Sequence, residues 1–216
     1  MGSKDVLKKD ITFKNIFWIF VFGCFFGFVL EMFIHFLKYT EIVSRQGLIY
    51  GPFNQVYGIG AVILSLFLGK QKNPFMIFLL GALLGGGIEY FCSFFQELFF
   101  KTTSWNYSNY PLNIYGRTSL FHVISWGILA LLYIKFIYPY LLQIIEKISI
   151  KTGNIITIIF VIFIVLDCLI SFLACFRWNE RRNNIEPSNK IEVLLDKYYP
   201  NEKLEKIYNN AKIVKK

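Results

Sequence analysis

Two glutamates sit where a chain normally admits no charge. Glu31 lies in "GCFFGFVLEMF", Gly23 to Phe33, and Glu89 in "GALLGGGIEYF", Gly81 to Phe91, each inside a long apolar run. An ionised carboxylate in mid-membrane costs at least ~2.5–3.5 kcal/mol, so such groups face a protein interior or a wet cavity. Buried there, it can take up a proton or cation, act as general acid or base, or pair with an arginine. Arg45 and Arg117, each just before the second apolar run of its half of the chain, are the expected counter-ions. Asp167, in "VLDCLIS", adds a third acid, with Ser171 one turn beyond it. Asn54, Gln55, Tyr57, Ser119, His122, Ser125 and Trp126 gather at the starts of the second and fourth runs. Three acids and two arginines about one axis would form a substrate or ion site. The competing account is an ion-pair network that only fixes the bundle, since buried pairs often add little net stability. His122 could carry a proton, although an isolated interior histidine is more often simply hydrogen-bonded. His35, one turn after Glu31, reads as interfacial.

Other chemistries lack their residues. No His, Cys and carboxylate grouping has metal-ligand spacing, and no Gly-x-Ser-x-Gly, Walker or dinucleotide fingerprint occurs, so neither a metal nor a cofactor is expected. Cys24, Cys92, Cys168 and Cys175 lie in or at the ends of apolar runs without Cys-x-x-Cys spacing and read as small buried hydrophobes.

The elements that must hold these groups are membrane helices. Of the 216 residues 55% are hydrophobic and 17% charged, below the roughly 25% charged of a soluble domain. The apolar residues fall in blocks: Ile16–Leu37, Pro52–Leu68, Pro74–Phe100, Ser119–Leu142 and Ile155–Phe176. At ~1.5 Å per residue each approaches a ~30 Å hydrocarbon layer, the second being shortest. The first is too long for a signal h-region, lacks a cleavage site and carries Glu31, so it is retained. The expected fold is all-α and integral to the membrane, with about five transmembrane helices. The +9 net charge is spread over termini and loops, as at anionic headgroups, and is no nucleic-acid footprint. Basic residues divide evenly between the two faces, which leaves the orientation open.

The helices come as a repeat. Gly-x3-Gly-x3-Glu occurs at Gly23, Gly27, Glu31 and again at Gly81, Gly85, Glu89. Arg45, Gly47, Phe53-Asn54 and Tyr57-Gly58-Ile59 follow the first copy; Gly116, Arg117, Phe121-His122 and Trp126-Gly127-Ile128 follow the second. The unit is helix, loop, helix, present twice in parallel with the fifth helix outside it. Residues four apart share one stripe, so the glycines admit a neighbouring helix and the acids point inward with them. The triplet Gly85-Gly86-Gly87 exceeds what packing needs and predicts local unwinding beside Glu89.

Residues 1–15 then form a polar lead, 16–69 the first membrane unit, 74–142 the second, 155–176 the fifth helix and 177–216 a basic tail. In the tail Ile191, Leu194, Leu195 and Tyr198 have helical spacing, Pro200 interrupts, and Leu204, Ile207, Tyr208 and Ala211 resume it. Two short amphipathic helices are expected, docked on the bundle or headgroups or recruiting a partner protein. The loop "SWNYSNYPLNIYG" reads as an interfacial cap.

"RQGLIYGPFNQVYGIGAV" at 45–62, "GGGIEYF" at 85–91, "WNYSNYPLNIYGRTSLFHVISWGIL" at 105–129 and "LDKYYPNEKLEKIYNNAKI" at 195–213 resemble the ABC-transporter permease family of bacterial multi-pass proteins labelled CmpB-like, related to the animal TMEM229 proteins. The likeness covers nearly the whole chain and implies a permease of the bacterial cytoplasmic membrane. This chain departs from the family pattern at Gln55 and His122, so the likeness supports those positions less than Glu31, Glu89, Arg45 or Arg117. No loop resembles the segment that importer permeases insert into an ATPase, so an ATPase partner is left open.

The first reading is transport of a small polar or anionic solute, with the arginines binding the anion or gating and the acids coupling protons or cations. Five helices leave little room for an aqueous path, so a homodimer is expected. The second reading is an intramembrane enzyme acting on lipid or isoprenoid headgroups, with Glu89 as acid or base and the arginines clamping phosphate. A third is a regulatory subunit whose acids are structural.

Overall fold

The computed structural model of the chain describes residues 11–148 and 150–214, side chains of 150–152 excepted. The first ten residues of the polar lead, and the side chain of Lys151, lie outside them. Five apolar helices carry the fold: α1 Phe13–Tyr39, α2 Gln55–Leu68, α3 Pro74–Phe100, α4 Leu120–Lys147 and α5 Ile150–Arg182. Four are long and apolar enough to cross a membrane, and α2 is the shorter apolar helix. Their starts follow local rules. Thr12 accepts the Asn15 amide at α1, Asn54 accepts Val56 at α2, and Asn73 accepts Phe75 and Met76 at α3 ahead of Pro74. Within α4, Tyr133–Ile137 forms one π turn, where the Tyr138 amide reaches back to the Tyr133 carbonyl. Pro139 is the cause: its ring and missing N–H disrupt the ordinary ladder there.

Glycine contacts define how the helices pack. A Cβ on Gly23 would strike Ala61, and one on Gly27 would strike Tyr57; in the second unit Gly81 meets Ala130 and Gly85 meets Trp126. As position rises on the first helix it falls on its partner, so α1–α2 and α3–α4 are antiparallel hairpins. Each second helix returns the contact in the same way. Gly58 lies against the ring and carbonyl of Phe20, and Gly127 against those of Phe78, with a carbonyl oxygen 2.9 Å from an added Cβ in both. Between hairpins, Gly60 faces Trp126, Ser65 hydrogen-bonds Tyr133 at 2.7 Å and Gly69 faces Tyr138. Those positions rise together, so α2 and α4 run parallel, side by side, as a parallel repeat requires. The expected unwinding at Gly85–Gly87 does not occur: α3 is unbroken from Pro74 to Phe100. Gly85 and Gly86 are instead occupied by the close approach of Trp126 and Val123.

α5 runs alongside α1, where Trp18 lies against Phe160 and its indole N–H donates to Thr157 Oγ1 at 2.9 Å. Outward faces of α1, α3 and α5 carry exposed Phe, Leu and Ile side chains, as lipid-facing surfaces do.

At fourteen residues α2 spans only about 21 Å, and the chain before it makes up the difference. The Asn54 amide donates to the carbonyl of Cys24 at 3.0 Å, a position about 20 Å below the end of α1 at Tyr39. Residues 47–53 are therefore a re-entrant segment, with Leu48, Ile49 and Phe53 buried. Non-helical backbone survives at membrane depth only when protein groups satisfy it. Here Gly47 N–H meets the Phe53 carbonyl, Gln55 donates to the Gly47 carbonyl, and Gln46 donates to those of Leu48 and Ile49. Gly51, at φ +79°, makes the turn before Pro52.

The loop between α3 and α4 is a small cap. β2 Asn113–Ile114 pairs antiparallel with β3 Thr118–Ser119. Tyr115 and Gly116, at φ +53° and +68°, form the tight turn that such a hairpin favours. The tail folds as α6 Lys190–Tyr198 and α7 Asn201–Ile207, with Pro200 capping the second. It docks on the end of α5, burying Leu195 and Leu204 against Trp178. Its last strand, β4 Lys212–Ile213, pairs with β1 Thr102–Thr103 beside the cap.

Candidate functional site

The two repeat glutamates come within electrostatic reach of each other. Glu31 leaves α1 beside Tyr57, whose hydroxyl donates to Glu31 Oε1 at 2.6 Å. Glu89 is 7% exposed on α3. It accepts from Tyr107 at 3.0 Å on one oxygen and from Thr118 at 2.8 Å on the other. The carboxylates lie within electrostatic reach of each other, and the Tyr57 phenol feels Glu31, Glu89 and Tyr107 together. Glu31, Tyr57, Glu89 and Tyr107 thus form one cluster, drawn from both repeat units and closed by the cap loop.

Local folding explains the donors. Tyr57 lies in the first turn of α2, placed by the Asn54 cap and the re-entrant segment beneath it. Thr118 opens the return strand of the cap hairpin, and Tyr107 is fixed through its amide on the Gly116 carbonyl at 2.7 Å. The Tyr107 ring stacks on His122 at 3.5 Å, and His122 Nδ1 bonds Ser119 Oγ at 2.8 Å. Burial, with Glu89 beside it, pushes the Tyr107 phenol well above its ordinary range, so it remains a proton donor to Glu89. Trp126 closes the far side, its ring 5.6 Å from that of Tyr57.

The arginines do not serve as counter-ions to these acids. Arg117 pairs with Glu97 at 2.6 Å and lies over the rings of Tyr90 and Phe94. The hairpin carries its side chain past Glu89 toward the end of α3. Arg45 makes no ion pair among the described residues, and its buried Nε has no partner. It opens the re-entrant segment, where its carbonyl accepts from Asn54 at 3.4 Å. Asp167 also lies apart from the cluster. It is 2% exposed and accepts the Tyr50 amide at 3.1 Å and the Ser171 hydroxyl at 3.2 Å. His35 bonds the Glu41 carbonyl outside the cluster.

Three further residues partner the expected ones: Glu97 holds Arg117, and Tyr107 and Thr118 hold Glu89. Glu97 was legible, since Gly81, Gly85, Glu89, Ser93 and Glu97 continue one four-residue stripe. Tyr107 and Thr118 were not, because the hairpin alone brings them over Glu89.

No basic group among the described residues pairs with Glu31 or Glu89, while three hydroxyls donate to them. Hydroxyls stabilise a carboxylate without cancelling its charge. Among the described residues no group of three or more His, Cys, Asp or Glu side chains is placed to hold a metal. A family model described as "Putative ABC-transporter type IV" matches residues 18–172, both repeat units and most of α5. Neither a curated protein nor a solved structure matches the chain.

Proposed function

The chain belongs to that ABC-transporter family as an integral membrane protein, and on this premise we propose that it moves a small polar or anionic solute, using Glu31 and Glu89 as a shared proton or cation site. One observation carries the reading: equivalent acids from the two halves converge, and hydroxyls in place of arginines answer them. A pair tied to arginines would be electrically complete and would favour a scaffold. This pair changes charge when a proton or cation arrives, and it does so at the seam between the hairpins. Neutralising the pair would let α1 and α3 close on each other; its charge would drive them apart. That is the differential interaction a two-state permease needs.

Arg45, whose buried Nε has no partner among the described residues, is the group in this reading that meets an anionic solute. The test is cation and proton flux into proteoliposomes holding a trapped pH-sensitive dye, under imposed proton, sodium or potassium gradients. Wild type gives flux under at least one gradient, and Glu31→Gln and Glu89→Gln each abolish it. Flux that both variants leave intact ends this reading.

A further inference from the structure

We propose that Asp167 is a positioning residue: it holds the re-entrant segment at the depth where Asn54 caps α2 and Tyr57 reaches Glu31. The functional consequence rests on the carboxylate-pair reading; the positioning itself does not.

Two consecutive amides of the segment point at α5. Ile49 N–H donates to Ser171 Oγ at 2.9 Å and Tyr50 N–H to Asp167 Oδ1 at 3.1 Å. Asp167 and Ser171 stand one helical turn apart on the same face, so together they receive the turn of the segment. The Ser171 hydroxyl completes the set by donating to Asp167 Oδ1. Each of the two successive N–H groups thus finds one side-chain oxygen acceptor on α5. Bilayer interior offers no water to replace these acceptors. Asp167 has no basic partner among the described residues, and its Oδ2, though buried, bonds nothing. A carboxylate kept in such a place, with one oxygen engaged by a neighbouring loop, is used for that loop. From Tyr50 the chain turns at Gly51, packs Phe53 on Phe163 of α5, and delivers Asn54 to Cys24 and Tyr57 to Glu31. Outside the repeat, α5 thereby sets the register of a residue inside it.

The test is amide hydrogen exchange of the full chain in lipid nanodiscs, followed on peptides spanning residues 44–57. Asp167→Ala speeds exchange there about tenfold, the effect of losing one buried acceptor, with peptides of α3 unchanged. Asp167→Asn restores wild-type protection, because its side-chain oxygen still accepts from Tyr50 and the new amide replaces the unbonded Oδ2. Ser171→Ala speeds exchange at Ile49 in the same peptides. Wild-type rates in Asp167→Ala overturn the proposal, and so does Asp167→Asn exchanging as fast as alanine. Should the alanine variant fail to fold, a protected Asp167→Asn with a deprotected Ser171→Ala supports it, and any other pairing overturns it. Loosened 44–57 peptides in Asp167→Ala support the positioning whatever Glu31→Gln does to flux, and flux retained in that loosened variant overturns the functional consequence alone.

Discussion

Tyr57 and Trp126 occupy corresponding positions in the two repeat units, and their rings lie 5.6 Å apart across the seam between the hairpins. One member of the pair carries a hydroxyl and the other an indole, so the repeat is symmetric in packing and asymmetric in chemistry. Tyr57 alone turns a donor toward an acid. Tyr57→Phe keeps the ring against Trp126 and removes only that donor. A hydrogen bond to a charged group contributes ~1.5–3 kcal/mol, so thermal unfolding in detergent should show a loss of that size. Trp126→Phe should cost through lost packing while leaving Glu31 bonded.

Gly85 and Gly87 stand two residues apart on α3 in opposite surroundings. A Cβ on Gly85 would come 2.5 Å from the Trp126 ring, whereas one on Gly87 meets nothing within 4 Å. Gly85→Ala therefore overpacks the hairpin and should destabilise by ~1–3 kcal/mol. Gly87→Ala should stabilise by up to ~1 kcal/mol, as alanine does in a helix interior. Melting temperatures of the two variants must move in opposite directions.

Much of this was open to reading because a bilayer constrains the chain so narrowly. Apolar runs had to be helices, glycines four apart had to admit a neighbour, and acids on their stripe had to follow them inward. What escaped depended on backbone paths through loops. Nothing in "RQGLIYGPF" distinguishes an interfacial loop from one that descends beside Cys24, since Leu48, Ile49 and Phe53 suit either. Arg117 precedes α4 as Arg45 precedes α2, yet the Tyr115–Gly116 turn sends it to Glu97. The three glycines beside Glu89 stayed helical because α4 packs against two of them, an outcome propensity alone misses.

Arg117 is held by faces as well as by charge. Its guanidinium lies 5.4 Å from the Tyr90 centroid and 5.3 Å from that of Phe94, while its partner Glu97 is 37% exposed. An ion pair this open is worth ~0.2–1 kcal/mol. Glu97→Gln should cost no more than that, whereas Arg117→Lys, losing the planar contact, should cost more. Unfolding in detergent checks the order, and a double-mutant cycle isolates the pair.

The tail is fastened by Asp196, and its grip should depend on pH in a definite direction. Asp196 accepts from Arg177 Nε and Nη2, each at 3.0 Å, and from Arg181 Nη1 at 2.5 Å. Arg177 first, then Arg181, hold its carboxyl below the ordinary value of 3.8. A group with a depressed folded-state pKa stabilises fully above its unfolded value and loses that contribution as pH falls through the folded value. The wild-type tail should therefore stay docked from neutral pH down to 3.8 and loosen only in stronger acid. Asp196→Asn should loosen it already at neutral pH, by ~1.5–3 kcal/mol, the worth of hydrogen bonds to a charged group, because Arg177, 2% exposed, keeps Glu180 as its one anionic partner among the described residues. Amide exchange over residues 190–207 at neutral and acid pH reads both effects. Protection that persists unchanged in Asp196→Asn would mean that the apolar contacts of Leu195 and Leu204 and the β1–β4 pairing, not Asp196, hold the tail.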